Sequence, residues 1–98
     1  MKIIWSPLAI ERTTEIAKYI AQDNPSAAQN WIGNIFSRVE QLQTLPESGR
    51  TVPEICRKEI RELMYGNYRI IYRVDEKSIF ILTVRHGRQI LPNDEILS

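Results

Sequence analysis

Arginine side chains recur in and around the β-rich last third of the sequence, where they alternate with large apolar residues. The candidate binding cluster comprises Arg69, Arg73, Arg85, His86 and Arg88, and Arg50 and Arg61 could join it. Guanidinium groups hold phosphates or carboxylates through paired hydrogen bonds and can stabilise charge in a phosphoryl-transfer transition state. His86 among them could transfer a proton. The cluster predicts a surface that binds a polyanion or a partner protein, unless Arg69 and Arg73 only pair with Glu62 or the chain terminus and brace the fold.

Other patterns that support catalysis or metal binding are missing from the sequence. One histidine and one cysteine cannot form a His-rich or Cys-rich metal site, and Cys56 has no partner for an intramolecular disulfide. No serine lies in a Gly-x-Ser-x-Gly turn, and the four glycines are too scattered to form a phosphate-binding loop. We therefore expect neither a metal nor a cofactor.

The size and charge of the chain limit its class of function. With 98 residues, the sequence predicts one domain spanning 1–98, with a polar tail at about 89–98 that we expect to be flexible. The net charge is +1, from 13 basic and 12 acidic residues, which argues against a generally cationic nucleic-acid binder. The apolar run before Ser6-Pro7 is too short for a signal sequence or a membrane span. We therefore expect a cytoplasmic protein without a membrane partner.

Two helix starts carry the same signal, a capping side chain followed by proline. Ser6-Pro7 predicts a helix to about Ala21, and Asn24-Pro25 predicts a second helix to about Leu45. In the second helix, apolar residues recur at helical spacing and are assigned to the core. They are Ala28, Trp31, Ile32, Ile35, Phe36, Val39 and Leu42. The short connection between the helices predicts an antiparallel hairpin.

Strands are predicted at 2–5 and at about 60–65, 68–74 and 78–85, whereas Pro53 favours an irregular connection over 51–59. In the strand at 68–74, alternation divides the side chains between two faces. One face carries Tyr68, Ile70, Tyr72 and Val74, and the other carries Arg69, Ile71 and Arg73. The order β-α-α-β-β-β predicts an α+β sandwich, with the helical hairpin on one face of a small, mostly antiparallel sheet. We expect the arginines to project away from the helices into an accessible groove.

The turn at 75–78 predicts the register of the last two strands. The expected pairs are Val74 with Ile79, Arg73 with Phe80, and Arg69 with Val84. His86 would then extend the arginine face, just beyond the paired region.

The register of the preceding strand depends on the length of its turn. A two-residue Gly66-Asn67 turn places Glu62 beside Arg69 and Arg73, whereas a three-residue turn places Glu62 on the opposite face. We favour the two-residue turn, because it supplies the arginines with a carboxylate.

Five segments of the sequence match the motifs of a known family in order and in spacing. They are Asn24-Pro25 with Ala27-Ala28 and Trp31; Pro46 with Gly49-Arg50 and Val52-Pro53-Glu54; Ile60-Arg61-Glu62-Leu63; Tyr68-Arg69-Ile70-Ile71-Tyr72-Arg73; and Ile81-Leu82-Thr83-Val84-Arg85-His86-Gly87-Arg88. Together, over about residues 3 to 91, they resemble the RelE/ParE superfamily of toxins from type II toxin–antitoxin systems. The resemblance implies the same β-α-α-β-β-β fold. It also implies a cognate antitoxin that silences the toxin in a hetero-oligomer.

The superfamily contains two activities. RelE-like members cleave mRNA on the ribosome with basic residues of the sheet. ParE-like members, associated with plasmid stabilisation, are similar to known inhibitors of DNA gyrase. In RelE-like members lysines alternate along the strand before the Tyr-Arg motif, but this sequence has Ile60 and Glu62 there, and no tyrosine follows Tyr72. The resemblance is therefore closer to ParE.

The leading hypothesis is a ParE-like toxin that inhibits DNA gyrase by protein binding, without chemistry of its own. Its target- or antitoxin-binding residues would be Arg61, Arg69, Arg73, Arg85, His86 and Arg88. The alternative is a ribosome-dependent mRNA endoribonuclease, in which Arg69 would stabilise the scissile phosphate, Arg88 would hold a flanking phosphate and His86 would transfer a proton. We expect the antitoxin to cover either the arginine face or the helical hairpin, using an amphipathic, acidic segment.

Overall fold

A helical hairpin lies on one face of a β-sheet in the computed structural model, which describes residues 1–87 and Leu91. The elements are β1 (Lys2–Trp5), α1 (Pro7–Asp23), α2 (Pro25–Glu40), a 3₁₀ turn (Gln41–Gln43), β2 (Arg50–Thr51), β3 (Ile60–Tyr65), β4 (Tyr68–Val74) and β5 (Ser78–His86). The predicted α+β sandwich is confirmed. Arg88 and the predicted flexible tail lie outside the described residues, except for Leu91.

Both predicted helix caps are present. The Ser6 hydroxyl accepts a hydrogen bond from the Ala9 amide at 3.0 Å, and the Asn24 side chain accepts one from the Ala27 amide at 3.1 Å. Helix α1 continues to Asp23, slightly beyond the predicted end. Helix α2 ends at Glu40, earlier than predicted, and the 3₁₀ turn that follows keeps Leu42 fully buried.

The strands follow the order β1-β5-β4-β3-β2 in the sheet. Strand β1 runs parallel to β5, with Trp5 opposite Ile81, and the other neighbouring pairs are antiparallel. The sheet is therefore mostly antiparallel, as predicted. The short strand β2 is not among the predicted strands. Thr51 pairs with Arg61, although the sequence predicts an irregular connection there.

The sheet carries apolar residues on both faces. The larger cluster joins the two helices to β3, β4 and β5. It includes Ile35, Ile70 and Tyr72, which are fully buried. A smaller cluster on the face away from the helices, here called the outer face, contains Val52, Ile60, Ile71 and Leu91. The segment before β3 therefore packs over the outer face instead of leaving it open.

The two-residue turn is confirmed, since Tyr65 pairs directly with Tyr68 across Gly66-Asn67. Gly66 has a φ of +58°, a conformation that favours glycine. Glu62 consequently lies opposite Ile71 and shares the outer face with Arg69.

The register between β4 and β5 is as predicted at one end only. Its pairs there are Val74 with Ile79 and Arg73 with Phe80. An irregularity then shifts the register, because Tyr72 pairs with Ile81 and Ile71 with Thr83, which leaves Leu82 as an extra residue in β5. Arg69 therefore lies opposite Arg85, and the predicted pairing with Val84 is wrong.

Candidate functional site

Four charged side chains form a continuous ion network on the outer face: Arg50, Glu54, Glu62 and Arg69. Arg69 directs Nη1 and Nη2 to the two oxygens of Glu54, at 2.8 and 3.0 Å. Its Nε donates to Glu62 Oε1 at 2.6 Å, and the other oxygen of Glu62 accepts from Arg50 Nε at 2.5 Å. Every hydrogen-bonding nitrogen of the Arg69 guanidinium group is therefore engaged by a carboxylate.

Burial of this outer ion network is graded from the sheet outwards. The side chain of Glu62 is 0% exposed and that of Arg69 is 6% exposed, whereas Glu54 is 48% exposed and Arg50 is 63% exposed. The hydrogen bonds from Arg69 hold the pKa of Glu54 below its ordinary value. The Glu54 carboxylate in turn raises the pKa of Arg69, so the pair stays ionised.

The prediction of accessible arginines on the outer face is wrong for Arg69. Its side chain points away from the helices as expected, but the turn after β2 covers it and supplies Glu54. The physical reason is the cost of leaving a desolvated charge unpaired, which two carboxylates remove. Arg69 therefore acts within the isolated chain as the centre of an ion network and not as an exposed cation.

Arg73 is the arginine of β4 that retains exposure, at 35% of its side chain. Its guanidinium carbon lies 4.7 Å from the centre of the Phe80 ring, and its Nε lies 3.4 Å from Asp75. The aromatic ring supports the guanidinium group from below while one side stays open to solvent. Arg73 can thus contact a partner without leaving its place on the sheet.

Of the other predicted residues, Arg85 lies directly opposite Arg69 in the pairing of β4 with β5, whereas Arg61 and His86 are not brought together with Arg69 on the outer face. Arg61 pairs in register with Tyr72, whose side chain faces the helices, and donates to the Gly49 carbonyl at 2.9 Å. His86 pairs with Tyr68 and contacts its ring at 5.6 Å between centroids. The expected position of His86 on the arginine face is therefore wrong, because the extra Leu82 reverses the alternation of β5.

His86 instead borders a cavity of about 360 Å³ beside α1. Glu15, Ile16, Tyr19 and Tyr68 complete its lining. A histidine on this side of the sheet cannot share a phosphate with Arg69 on the other side. Within residues 1–87 and Leu91, no group of three or more His, Cys, Asp or Glu side chains could hold a metal ion.

An apolar groove of about 430 Å³ runs between α1 and α2 and ends at Trp5. We call it the hairpin groove. Its lining includes Ile10 and Phe36, which are 54% and 45% exposed. The assignment of Phe36 to the core is therefore wrong. Its ring lies 5.0 Å from that of Trp5 and forms part of the groove wall.

Helical spacing alone did not reveal this groove, because it cannot separate a core residue from one that borders the core. The exposed Ile10, among the polar residues of α1, was the available signal. The chain as described contains no helix long and apolar enough to cross a membrane.

Comparisons with known proteins match this chain to one family model and to two named toxins. The model of the ParE toxin of the type II toxin-antitoxin system, parDE, matches residues 3–91. The putative toxin Y4kP of Sinorhizobium fredii is 38% identical over 93 residues, covering 93% of each chain. Toxin RelE2 of Caulobacter vibrioides is 29% identical over 90 residues, covering 91% of this chain and 98% of the other.

A solved structure shows the same fold. A chain described as the chromosomal ParDE TA system from P. aeruginosa superimposes with a TM-score of 0.72. The match covers 88% of this chain and 95% of that one, at 24% sequence identity.

Proposed function

Since the chain belongs to the ParE toxin family of type II toxin–antitoxin systems, we propose that it arrests growth by binding DNA gyrase in the cytoplasm and that a cognate antitoxin prevents this. The toxin acts as a binding protein and performs no chemical step itself. Its outer face, with Arg73 as an accessible cation, contributes to target binding.

The observation that carries this proposal is the separation of the residues a ribonuclease would need. His86 faces the helix side, whereas Arg69 is on the outer face and is neutralised by Glu54 and Glu62. A phosphate in an mRNA would have to displace the bidentate carboxylate of Glu54 and would then have no histidine beside it to transfer a proton. This arrangement favours protein recognition over phosphate chemistry.

Induction of the protein in bacteria tests this function directly. We expect DNA synthesis to stop first, with induction of the DNA-damage response, because trapped gyrase leaves cut DNA. The measurements are incorporation of labelled thymidine and methionine at short intervals after induction. If translation stops first and mRNA is cleaved at defined codons, the gyrase proposal is wrong and the ribonuclease is favoured.

Two arginine variants test whether Arg73 contributes to target binding. Arg73→Ala should delay growth arrest, since it removes the accessible guanidinium group over Phe80. Arg57→Ala is the matched control, because Arg57 is also exposed but pairs with Glu59 in the turn before β3. Equal arrest by both variants would remove Arg73 from the target-binding surface.

The antitoxin occupies the hairpin groove in this proposal. The stretch of α2 that lines the groove, residues 25–36, corresponds to roughly three helical turns, or about 17 Å. An amphipathic helix of that length can lay its apolar side between α1 and α2. Lys18 lies on the lining and favours an acidic residue on the incoming helix.

Charged substitutions in the groove test this docking site. We expect Ile10→Asp combined with Phe36→Asp to weaken antitoxin binding by about thirtyfold or more, as for central interface residues. Binding of the protein encoded beside the toxin gene can be measured by calorimetry. The control is Leu45→Asp, because Leu45 is 60% exposed but does not line the groove.

Both groove residues are already half-exposed, so the double variant should remain folded by circular dichroism. Unchanged affinity in a folded double variant would exclude the groove. Loss of affinity in the Leu45 variant instead would place the antitoxin elsewhere.

A further inference from the structure

The terminal nitrogens of Arg69 form a bidentate site that a carboxylate already occupies. Glu54 accepts from Nη1 and Nη2 at 2.8 and 3.0 Å, which is the geometry with which a guanidinium group binds an external carboxylate. Glu54 is not part of the sheet, since it lies in the turn between β2 and β3. The carboxylate therefore comes from a connecting segment, whereas the guanidinium group comes from β4.

Glu54 is not the only residue that positions the guanidinium group of Arg69. Glu62, on the neighbouring strand, accepts from Arg69 Nε at 2.6 Å and is itself fully buried. Arg50 holds the second oxygen of Glu62 at 2.5 Å. If Glu54 withdrew, these contacts would keep the plane of the guanidinium group fixed and direct its two terminal nitrogens outwards.

The backbone hydrogen bonds within the turn that carries Glu54 are short-range, and Ile55 of this turn packs on the smaller apolar cluster of the outer face. The amides of Ile55 and Cys56 both donate to the Val52 carbonyl, at 3.1 and 3.0 Å. Cys56 has a φ of +56°, a strained conformation for a residue with a side chain. Glu54 is 48% exposed. Displacing its carboxylate therefore breaks one bidentate contact and need not disturb the sheet.

Withdrawal of Glu54 also changes the local charge. Arg50, Glu54, Glu62 and Arg69 sum to zero when all are ionised, whereas the three that remain carry one net positive charge. Arg73 lies on the same face four residues further along β4. The uncovered site would attract an anion more strongly than the covered one.

We propose that Arg69 is a carboxylate-binding site for an acidic segment of a protein partner and that Glu54 masks it in the free protein. The inference rests on the proposed function in taking the partner to be a protein. Binding replaces the carboxylate of Glu54 with a carboxylate of the partner. Arg69 therefore contributes a contact only to a partner that carries an acidic residue. Such an exchange favours acidic partners over uncharged ones.

A titration of the purified protein tests the exchange. The probe is a tetraglutamate peptide with blocked ends, and the signal is the Arg69 Nε–H resonance in ¹H–¹⁵N spectra, identified by its loss in Arg69→Lys. We expect Glu54→Ala to bind the peptide about tenfold more tightly than the unmodified protein, because the internal competitor is gone. Glu54→Gln keeps the shape of the side chain and should give a smaller gain.

Glu59→Ala is the matched control, since Glu59 is a carboxylate of the same segment that pairs with Arg57 and not with Arg69. Its affinity should equal that of the unmodified protein. If Glu54→Ala and Glu54→Gln both stay folded and bind no more tightly, or if the gain survives Arg69→Met, the proposal is wrong. Stronger binding of inorganic phosphate than of the peptide by Glu54→Ala would overturn the assignment to a carboxylate.

The titration does not read growth, so its result is separate from that of the induction experiment. An absent gain in affinity together with early arrest of DNA synthesis would reject the masked site and leave the proposed function intact. A clear gain in affinity together with early mRNA cleavage would reject the gyrase proposal and support the masked site.

Discussion

Gly49→Ala should lower the free energy of unfolding by about 3 kcal/mol, because no space exists for a methyl group at this position. A Cβ built on Gly49 would lie 2.5 Å from the Glu62 carbonyl oxygen and 2.5 Å from the Tyr72 hydroxyl. Neither atom can move freely. The carbonyl belongs to β3, and the hydroxyl donates to the Pro46 carbonyl at 3.0 Å and accepts from the Gly49 amide at 2.9 Å. Denaturant unfolding measures the loss.

Gly33→Ala is the control for this prediction. Gly33 lies on the exposed side of α2, and a Cβ there would meet nothing within 4 Å. Alanine has the higher helix propensity, so this variant should gain up to about 1 kcal/mol. Equal stability of the two alanine variants would mean that the close approach at Gly49 relaxes without cost.

Removal of the buried carboxylate of Glu62 is expected to have the second large effect. Glu62→Gln should cost about 3 kcal/mol of stability, since it leaves Arg69 with less compensation at 6% exposure and breaks the contact to Arg50. The neutral amide can replace only part of the charge-assisted hydrogen bonding. Thermal and denaturant unfolding should agree on the loss.

Two further variants separate the ion network from a general effect of charge. Glu59→Gln should leave stability nearly unchanged, because Glu59 and Arg57 form an exposed pair. Glu62→Leu combined with Arg69→Met should recover part of the loss seen in Glu62→Gln, since it removes both buried charges together. A double variant less stable than Glu62→Gln would contradict a cost that arises from an unpaired charge.

The elements with local signals were predicted from the sequence. Ser6-Pro7 and Asn24-Pro25 start both helices, because a capping side chain and a proline act within one turn of the helix. Gly66-Asn67 sets the register of β3 for a similar reason, since its length alone decides which face Glu62 occupies. These features need no knowledge of the rest of the chain.

The register of β5 could not be predicted beyond its first residues. Its alternate positions are apolar on both faces, so a shift by one residue at Leu82 leaves no disagreement in the pattern. That shift places His86 on the face opposite Arg69. The predicted arrangement of these two side chains required a register without the shift. A strand with one polar face would have revealed the error.

The outer ion network was predicted only in part. Glu62 was placed beside Arg69 by strand pairing, but Glu54 was not expected there because no periodicity relates an irregular turn to a strand 15 residues away. The exposure of Phe36 was missed for a related reason. Its spacing from Ile32 fits a core stripe, and only the position of α1 shows that the stripe extends past the core.

The parallel pairing of β1 with β5 has a consequence for the newly made protein. Residues 2–5 find their partners at 78–81 only after those residues have left the exit tunnel. At about 5–20 residues per second, the first strand waits roughly 4 to 15 seconds, and the apolar side of the hairpin stays uncovered meanwhile. A nascent chain thus remains incomplete and prone to aggregation until residues 78–81 have emerged. Any activity that needs the closed sheet starts only at that point.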